Sequence, residues 1–323
     1  MNKLVVSSSP HISSPDSVRG IMFDVILALL PAGVAAVWLF GLHALLLIVT
    51  CVAACVLSEY ISRKIMRRSN TIGDLSAVVT GLLLAYNLPP ELPLWMAIIG
   101  SAVSIIVVKQ LFGGIGQNFV NPALIGRIVL MNSFATAMTT WTQPFAYKAA
   151  EGAAADAVSS ATPLMAQVRG EAVPGLMQML IGQRAGCLGE TCVIALLIGG
   201  IYLVIRRVIN PVVPVVFIGT VALFTWINGD NPLYQIMSGG LMLGAIFMAT
   251  DYATTPVTFW GKVIFAFGCG AITSFIRIFG SLPEGVSYSI IIMNILTPYI
   301  EKITAKKPFG YVKPPKDKGR AAE

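Results

Sequence analysis

Apolar residues run through this chain in long blocks, each near the length that crosses a bilayer, separated by short polar stretches. A membrane-spanning helix needs about 20 mostly apolar residues. By that measure the pattern predicts ten spans, over 21–40, 43–62, 75–88, 93–111, 122–138, 189–206, 211–228, 234–249, 261–279 and 286–300. The third and eighth are short and glycine-rich, so their ends are loosely defined. The chain then divides into a polar N-terminal segment (1–20), a first membrane half (21–138), a long hydrophilic loop (139–188), a second membrane half (189–300) and a basic tail (301–323). Residues 1–20 lack the basic start and small-residue cleavage pattern of a signal peptide, so the first helix is expected to stay.

Composition turns this pattern into a fold class. Of 323 residues, 56% are hydrophobic and 11% charged, against about 25% charged in a soluble domain. Disorder, collagen, a coiled coil and a disulfide-stapled secreted domain are excluded. The expected fold is an all-α polytopic membrane protein in contact with lipid.

The net charge of +7 reads as topology, not as a nucleic-acid surface. If the spans alternate, seventeen of the 22 Lys and Arg fall on one side. They include Arg63, Lys64, Arg67, Arg68, Lys109, Arg206, Arg207, Lys262 and the tail lysines. Both termini and the 63–74 loop are thus expected in the cytoplasm of a cell-membrane protein. Trp38, Trp95, Trp141 and Trp226 fall near outer helix ends and Trp260 near an inner one, as an interfacial belt requires. The 139–188 loop then lies outside the cell, and loops of such length are commonly functional.

Two stretches echo one another. GLLLAYNLPPELPLW leads to an apolar helix carrying Lys109, then Phe112-Gly113 and a helix from Pro122. GAIFMATDYATTPVTFW leads to an apolar helix carrying Arg277, then Phe279-Gly280 and a helix from Val286. Spans three to five and eight to ten, five spans apart, would be inverted copies of the kind whose interface holds transporter sites.

Side chains for conventional catalysis are scarce. His11 and His43 are far apart, and no HExxH, GxSxG or P-loop pattern occurs. The five cysteines form no CxxC, which argues against an iron–sulfur cluster in a single chain. Cys51 and Cys55 read as packing in span two, and Cys187 and Cys192 would pair only if their side is oxidising. The informative stretch is Asp156-Ala157-Val158-Ser159-Ser160-Ala161-Thr162-Pro163 in the long loop. Read locally, Thr162 is an N-cap and Pro163 a first helical residue.

The pattern Asp-x-x-Ser-x-Ala-Thr also closely resembles the sequence at which a flavin transferase attaches FMN to threonine through a phosphoester. With SSPHI…MFDVILALLPA, GDLSAVVTGLLLA, NPALIGR and MATDYATTP, from Ser9 to about Glu301, the chain resembles the Rnf D-subunit family. The B subunit of the sodium-translocating NADH:quinone reductase is a close relative with a longer N-terminal extension. The resemblance implies a membrane-embedded electron carrier in a complex that passes electrons between ferredoxin and NAD and moves Na+ or H+. It implies Thr162 as the FMN hydroxyl and Asp156, Ser159, Ser160 and Ala161 as the attachment motif, with Arg169 or Lys148 as a counter-charge. It also implies a second, non-covalent flavin, riboflavin, within the membrane domain. Asn118 and Asn121 are suited to its donor and acceptor edges. The expected partners are the other Rnf membrane and peripheral subunits and the transferase.

Ionisable residues at membrane depth read as functional candidates. Asp24, Glu59, Asp74 and Asp251 all fall toward the predicted cytoplasmic side, and Asp24, Asp74 and Asp251 together suggest a Na+ entrance. Arg127 and Arg277 lie deeper and are expected to meet a carboxylate or a flavin. The competing reading is a solute channel or transporter of similar inverted-repeat architecture with no redox role.

Overall fold

In the computed structural model the described residues are 17–149, 162–169, 173–280 and 285–305. The motif residues Asp156, Ser159, Ser160 and Ala161 lie outside them, as do residues 1–16, most of the basic tail and the side chains of Lys148 and Arg169. Among the described residues the regular structure is helical, without a β-strand.

The first membrane half opens with α1 (Val18–Phe40) and α2 (Leu42–Ile65), joined through Gly41. There follow α3 (Ser76–Tyr86), α4 (Leu94–Ala102) running directly into a π-helical stretch (Val103–Gln110), α5 (Pro122–Ser133) and the single turn α6 (Ala135–Met138). The loop region contributes α7 (Ala146–Ala149), α8 (Pro163–Arg169) and α9 (Leu176–Ile181). The second half holds α10 (Val193–Ile205), α11 (Val212–Ile227), α12 (Pro232–Met237) and α13 (Leu241–Leu243), which passes into a π-helical stretch (Gly244–Met248). It ends with α14 (Phe259–Phe279) and α15 (Val286–Thr304).

Caps set several of these boundaries. Asn121 and Asn231 each precede a proline, and each side-chain oxygen accepts from the second helical N–H, Ala123 and Leu233, at 3.1 Å. Proline at the first position loses no hydrogen bond, so Asn-Pro is a strong start.

Of these helices, α1, α2 and α14 are individually long and apolar enough to cross a bilayer. Their outward faces carry Val34, Leu42, Ile65, Phe275 and Phe279, all more than half exposed. Such a surface suits contact with hydrocarbon or with another apolar partner. Trp38, Trp95, Trp226 and Trp260 are likewise exposed, in keeping with an interfacial belt. Trp141 departs from that expectation: it is buried against Ala185 and Cys187.

Two predicted spans take a different form inside the bundle. The eighth, over 234–249, is interrupted: α12 stops at Met237, Ser238–Gly240 are non-helical with Gly239 at φ 60°, and the helix restarts at Leu241. The sixth, over 189–206, becomes helical only at Val193. Its irregular approach pairs with protein, because Leu188 N donates to Leu88 O (3.1 Å) and Gly189 N to Tyr86 O (2.9 Å). Backbone without helical bonds is tolerated at membrane depth only when protein satisfies it in this way.

Packing follows two main seams, α2 along α3 and α4, and α11 along α14, with α1 along α10 and α14 along α15. Small residues carry these approaches, as expected where lipid gives helices no hydrophobic drive to associate. At Gly199 of α10 an added Cβ would lie 2.1 Å from Ala28 O of α1. Gly199→Val is therefore expected to lower the thermal unfolding temperature of the detergent-solubilised protein. Overpacking of this kind costs about 1–3 kcal/mol or more. An unchanged melting curve would contradict the close seam.

Candidate functional site

The first half of α3, the start of α5 and the end of the second π stretch leave a space between them inside the bundle. A cleft of about 100 Å3 opens there, with Ser76, Lys109, Asn118, Asn121, Asp251 and Tyr252 among its walls. Apolar walls with a few convergent polar groups are the usual form of a small-molecule site. Three residues singled out from sequence, Asn118, Asn121 and Asp251, thus share one cleft. Asn118 Nδ2 donates to Val120 O (3.1 Å). Asn121 Nδ2 donates to Met248 O (3.4 Å) while its oxygen caps α5. Asp251 caps its own turn, accepting from Ala253 N and Thr254 Oγ1 at 3.4 and 3.3 Å.

One wall of the cleft is charged. Lys109 Nζ donates to Glu59 Oε2 at 2.9 Å and to Ser76 Oγ at 2.6 Å, and both members of the ion pair are buried. Glu59 Oε1 accepts from Thr71 Oγ1 (2.8 Å) and Gln110 Nε2 (2.9 Å). The Ser76 hydroxyl in turn donates to Asp74 Oδ1 at 2.5 Å. Asp74, Ser76, Lys109 and Glu59 therefore form one connected network. The wider turn of the π stretch brings the consecutive residues Lys109 and Gln110 onto the same carboxylate. Sequence position alone groups Lys109 with the topology-setting charges. Its burial shows instead a partner for Glu59, which its place beside an apolar run opposite another buried charge could have signalled.

Asp24 lies apart from the cleft. Its carboxylate accepts from Tyr202 Oη (2.9 Å) and pairs with Arg206 (3.1 Å), lining a separate polar opening with Ser17, Arg206, Arg207 and Tyr252. The three aspartates thus occupy neighbouring but distinct environments. Among the described residues no three His, Cys, Asp or Glu side chains cluster as ligands.

A second buried polar centre lies where three interruptions of helix meet. Arg127 of α5 pairs with Glu190 at 3.0 Å, both 2% exposed, and donates to Asn87 Oδ1 at 2.6 Å. The expected carboxylate for Arg127 is thus present, supplied by the irregular approach to α10. Arg277 donates to backbone carbonyls of the broken eighth span, Gln235 O (2.7 Å) and Ser238 O (3.1 Å). Arg184 donates to Met237 O in the same break and to Glu190 O. Cys187 and Cys192 are not joined by a disulfide, nor are Cys51, Cys55 and Cys269.

Thr162 stands immediately before α8 and is buried. Its Oγ1 accepts from Met165 N at 3.3 Å and its carbonyl from Ala166 N at 2.8 Å, the N-cap geometry expected from Thr-Pro. Gln167 of α8 ties this element to the second half, donating to Asp230 Oδ1 (3.2 Å) and accepting from Gln235 Nε2 (3.0 Å).

A family model described as the NQR2, RnfD, RnfE family matches residues 5–310. The D subunit of the Na+-translocating ferredoxin:NAD+ oxidoreductase complex of Acetobacterium woodii is 45% identical, over 96% of both chains. Its counterpart in the proton-translocating ferredoxin:NAD+ oxidoreductase complex of Clostridium ljungdahlii is also 45% identical, over 96% of this chain and 97% of that one. The D subunit of the ion-translocating oxidoreductase complex of Stutzerimonas stutzeri is 37% identical, over 91% and 92%.

The charged wall makes its own prediction. Removing one member of a buried ion pair costs about 3–5 kcal/mol, whereas replacing both by apolar residues is often near neutral. Lys109→Met is expected to be strongly destabilised in detergent melts, and Glu59→Leu with Lys109→Met to recover most of the loss. Simple addition of the two single losses would contradict the pair.

Proposed function

The chain belongs to the NQR2, RnfD, RnfE family. From that premise we propose that it is the membrane-embedded, flavin-carrying electron-transfer subunit of a ferredoxin:NAD+ oxidoreductase that moves Na+ or H+. The observation that carries this reading is 45% identity, over nearly the full length of both chains, to D subunits of two such complexes. One of those is named for Na+ and the other for protons at equal identity, so overall identity does not choose the cation. The chain would act within an assembly of the other Rnf membrane and peripheral subunits, in the cell membrane, with both termini cytoplasmic. A channel without redox role has no support in those relatives. The opening SSPHI and the names of the relatives favour this complex over the sodium-translocating NADH:quinone reductase.

FMN joined to Thr162 by a phosphoester, and riboflavin in the cleft, would supply the one- and two-electron chemistry that side chains lack. The residues suit both. Thr162 offers a hydroxyl at the start of α8 with the Met165 N–H directed at it. That hydroxyl is covered by the fold, so the transferase would act before the loop packs on the bundle. In the cleft, Asn118 and Asn121 offer amide donors and acceptors, and Lys109 places an ammonium in the wall. Asp24, Asp74 and Asp251 supply carboxylates on the predicted cytoplasmic side for a cation.

Co-expression with a flavin transferase is expected to give a fluorescent band on a denaturing gel. Thr162→Ala is expected to abolish it while leaving membrane insertion intact; persistent fluorescence would remove Thr162 from its role. For the cation, Asp24→Asn, Asp74→Asn and Asp251→Asn should each shift the Na+ dependence of electron transfer in the assembled complex if Na+ enters there. Unchanged dependence in all three would eliminate that entrance.

A further inference from the structure

The polar opening beside Asp24 encloses about 460 Å3, more space than the cleft, and neither flavin is assigned to it. Ser17, Gly20 and Asp24 from the first turns of α1 line it together with Arg206 and Arg207, just beyond the end of α10. It thus sits at the predicted cytoplasmic end of the seam that α1 and α10 share. Asp24 accepts from Arg206 Nη2 at 3.1 Å, Arg206 Nε at 3.3 Å and Tyr202 Oη at 2.9 Å, so its charge is already answered. Two arginines against one aspartate leave the described walls net positive.

Arg207 stands outside that arrangement, and its side chain has no hydrogen-bond or ion-pair partner among the described residues. Its backbone is left-handed, with φ 58°, in the turn that closes α10 through Val208 N to Leu203 O at 2.9 Å. Glycine is the usual residue at such a position, because a side chain is strained there. What arginine brings instead is its guanidinium, whose planar fork matches a phosphate. The first N–H groups of α1, at the positive end of its dipole, are also suited to an anion. One of them, Gly20 N, is satisfied by Ser17 Oγ at 3.1 Å. On α10 itself, Ile198, Ile201 and Ile205 are all more than half exposed. Their spacing of three and four puts them on one face, which ends beside Arg206 in the chain.

We propose that this opening binds the phosphate of an anionic phospholipid, with Arg207 as its main contact and an acyl chain along the Ile198, Ile201 and Ile205 face. A phospholipid is the ligand that joins a phosphate to hydrocarbon, as the opening joins a guanidinium to an apolar face. Basic pockets between membrane helices on the cytoplasmic side bind head groups of this kind. The net positive walls select a lipid with net negative charge over a zwitterionic one. Asp24 does not oppose the phosphate, because Arg206 and Tyr202 already engage it. This goes beyond the electron-carrier reading and does not depend on either flavin.

The test titrates the purified full-length chain in detergent with phosphatidylglycerol, phosphatidylcholine or inorganic phosphate and counts bound molecules by native mass spectrometry. The wild type is expected to bind one phosphatidylglycerol more tightly than phosphatidylcholine. Arg207→Gly removes the guanidinium and relieves the left-handed turn. It is expected to weaken phosphatidylglycerol by about tenfold or more, the loss of one charge-assisted contact, and to leave phosphatidylcholine unchanged. Asp24→Asn is expected to keep the lipid. An arginine that serves only the helix end predicts equal phosphatidylglycerol affinity in Arg207→Gly and the wild type. That outcome overturns the proposal, as does a loss that extends equally to phosphatidylcholine. Ile201→Ser is expected to weaken the lipid and not inorganic phosphate. Phosphate binding as tight as lipid binding, with Ile201→Ser silent, assigns the opening to a free phosphate and overturns the lipid. Should Arg207→Gly fail to insert, Arg207→Gln is read by the same comparison of the two lipids.

Discussion

Polar groups inside a bundle that faces lipid have no water to fall back on, and the fold is arranged around that constraint. Helix is abandoned inside the bundle at the end of α3, in the Ser238–Gly240 break and on the approach to α10. Each interruption frees backbone groups, and each is answered by a side chain or by another interruption. Leu188 and Gly189 donate to the carbonyls of Leu88 and Tyr86, while Arg184 and Arg277 take the carbonyls around the break. The Arg127–Glu190 pair fastens the three places together. A buried pair is weak evidence for net stability but strong evidence that its partners must be kept together.

The functional space lies at other departures from regular helix. The cleft beside Asn121 and Asp251 opens where the second π stretch ends at Met248 and the chain turns non-helical. The π-helical stretch after α4 does similar work, turning Lys109 and Gln110 onto Glu59 and bringing that network to the cleft wall. Irregular helix, buried charge and cavity thus coincide, as they do in membrane proteins whose sites lie between broken helices.

Much of this is legible in the sequence. Hydrophobic blocks locate every major helix, Asn-Pro and Thr-Pro mark helix starts, and Arg127 at membrane depth requires a carboxylate. Asn118, Asn121 and Asp251, drawn from two distant motifs, meet in one cleft. What stays hidden is long-range pairing. Lys109 at the end of its apolar run hints at a buried partner, but only the fold singles out a glutamate fifty residues earlier, and Trp141 reads as interfacial until the loop folds over it. The break in the eighth span is foreshadowed by its glycines, but the groups that take its carbonyls, Arg184 and Arg277, approach from other elements. Hydropathy averages over just such breaks, because the residues on either side remain apolar.

On the proposed reading, a chain so poor in reactive side chains takes part in redox chemistry by carrying a flavin on Thr162. Mass spectrometry of the proteolytic peptide that contains Thr162, from protein matured with a flavin transferase, tests this directly. The account predicts a peptide heavier by FMN less one water, with fragmentation placing the addition on Thr162. An unmodified peptide, or an addition on another residue, would contradict it.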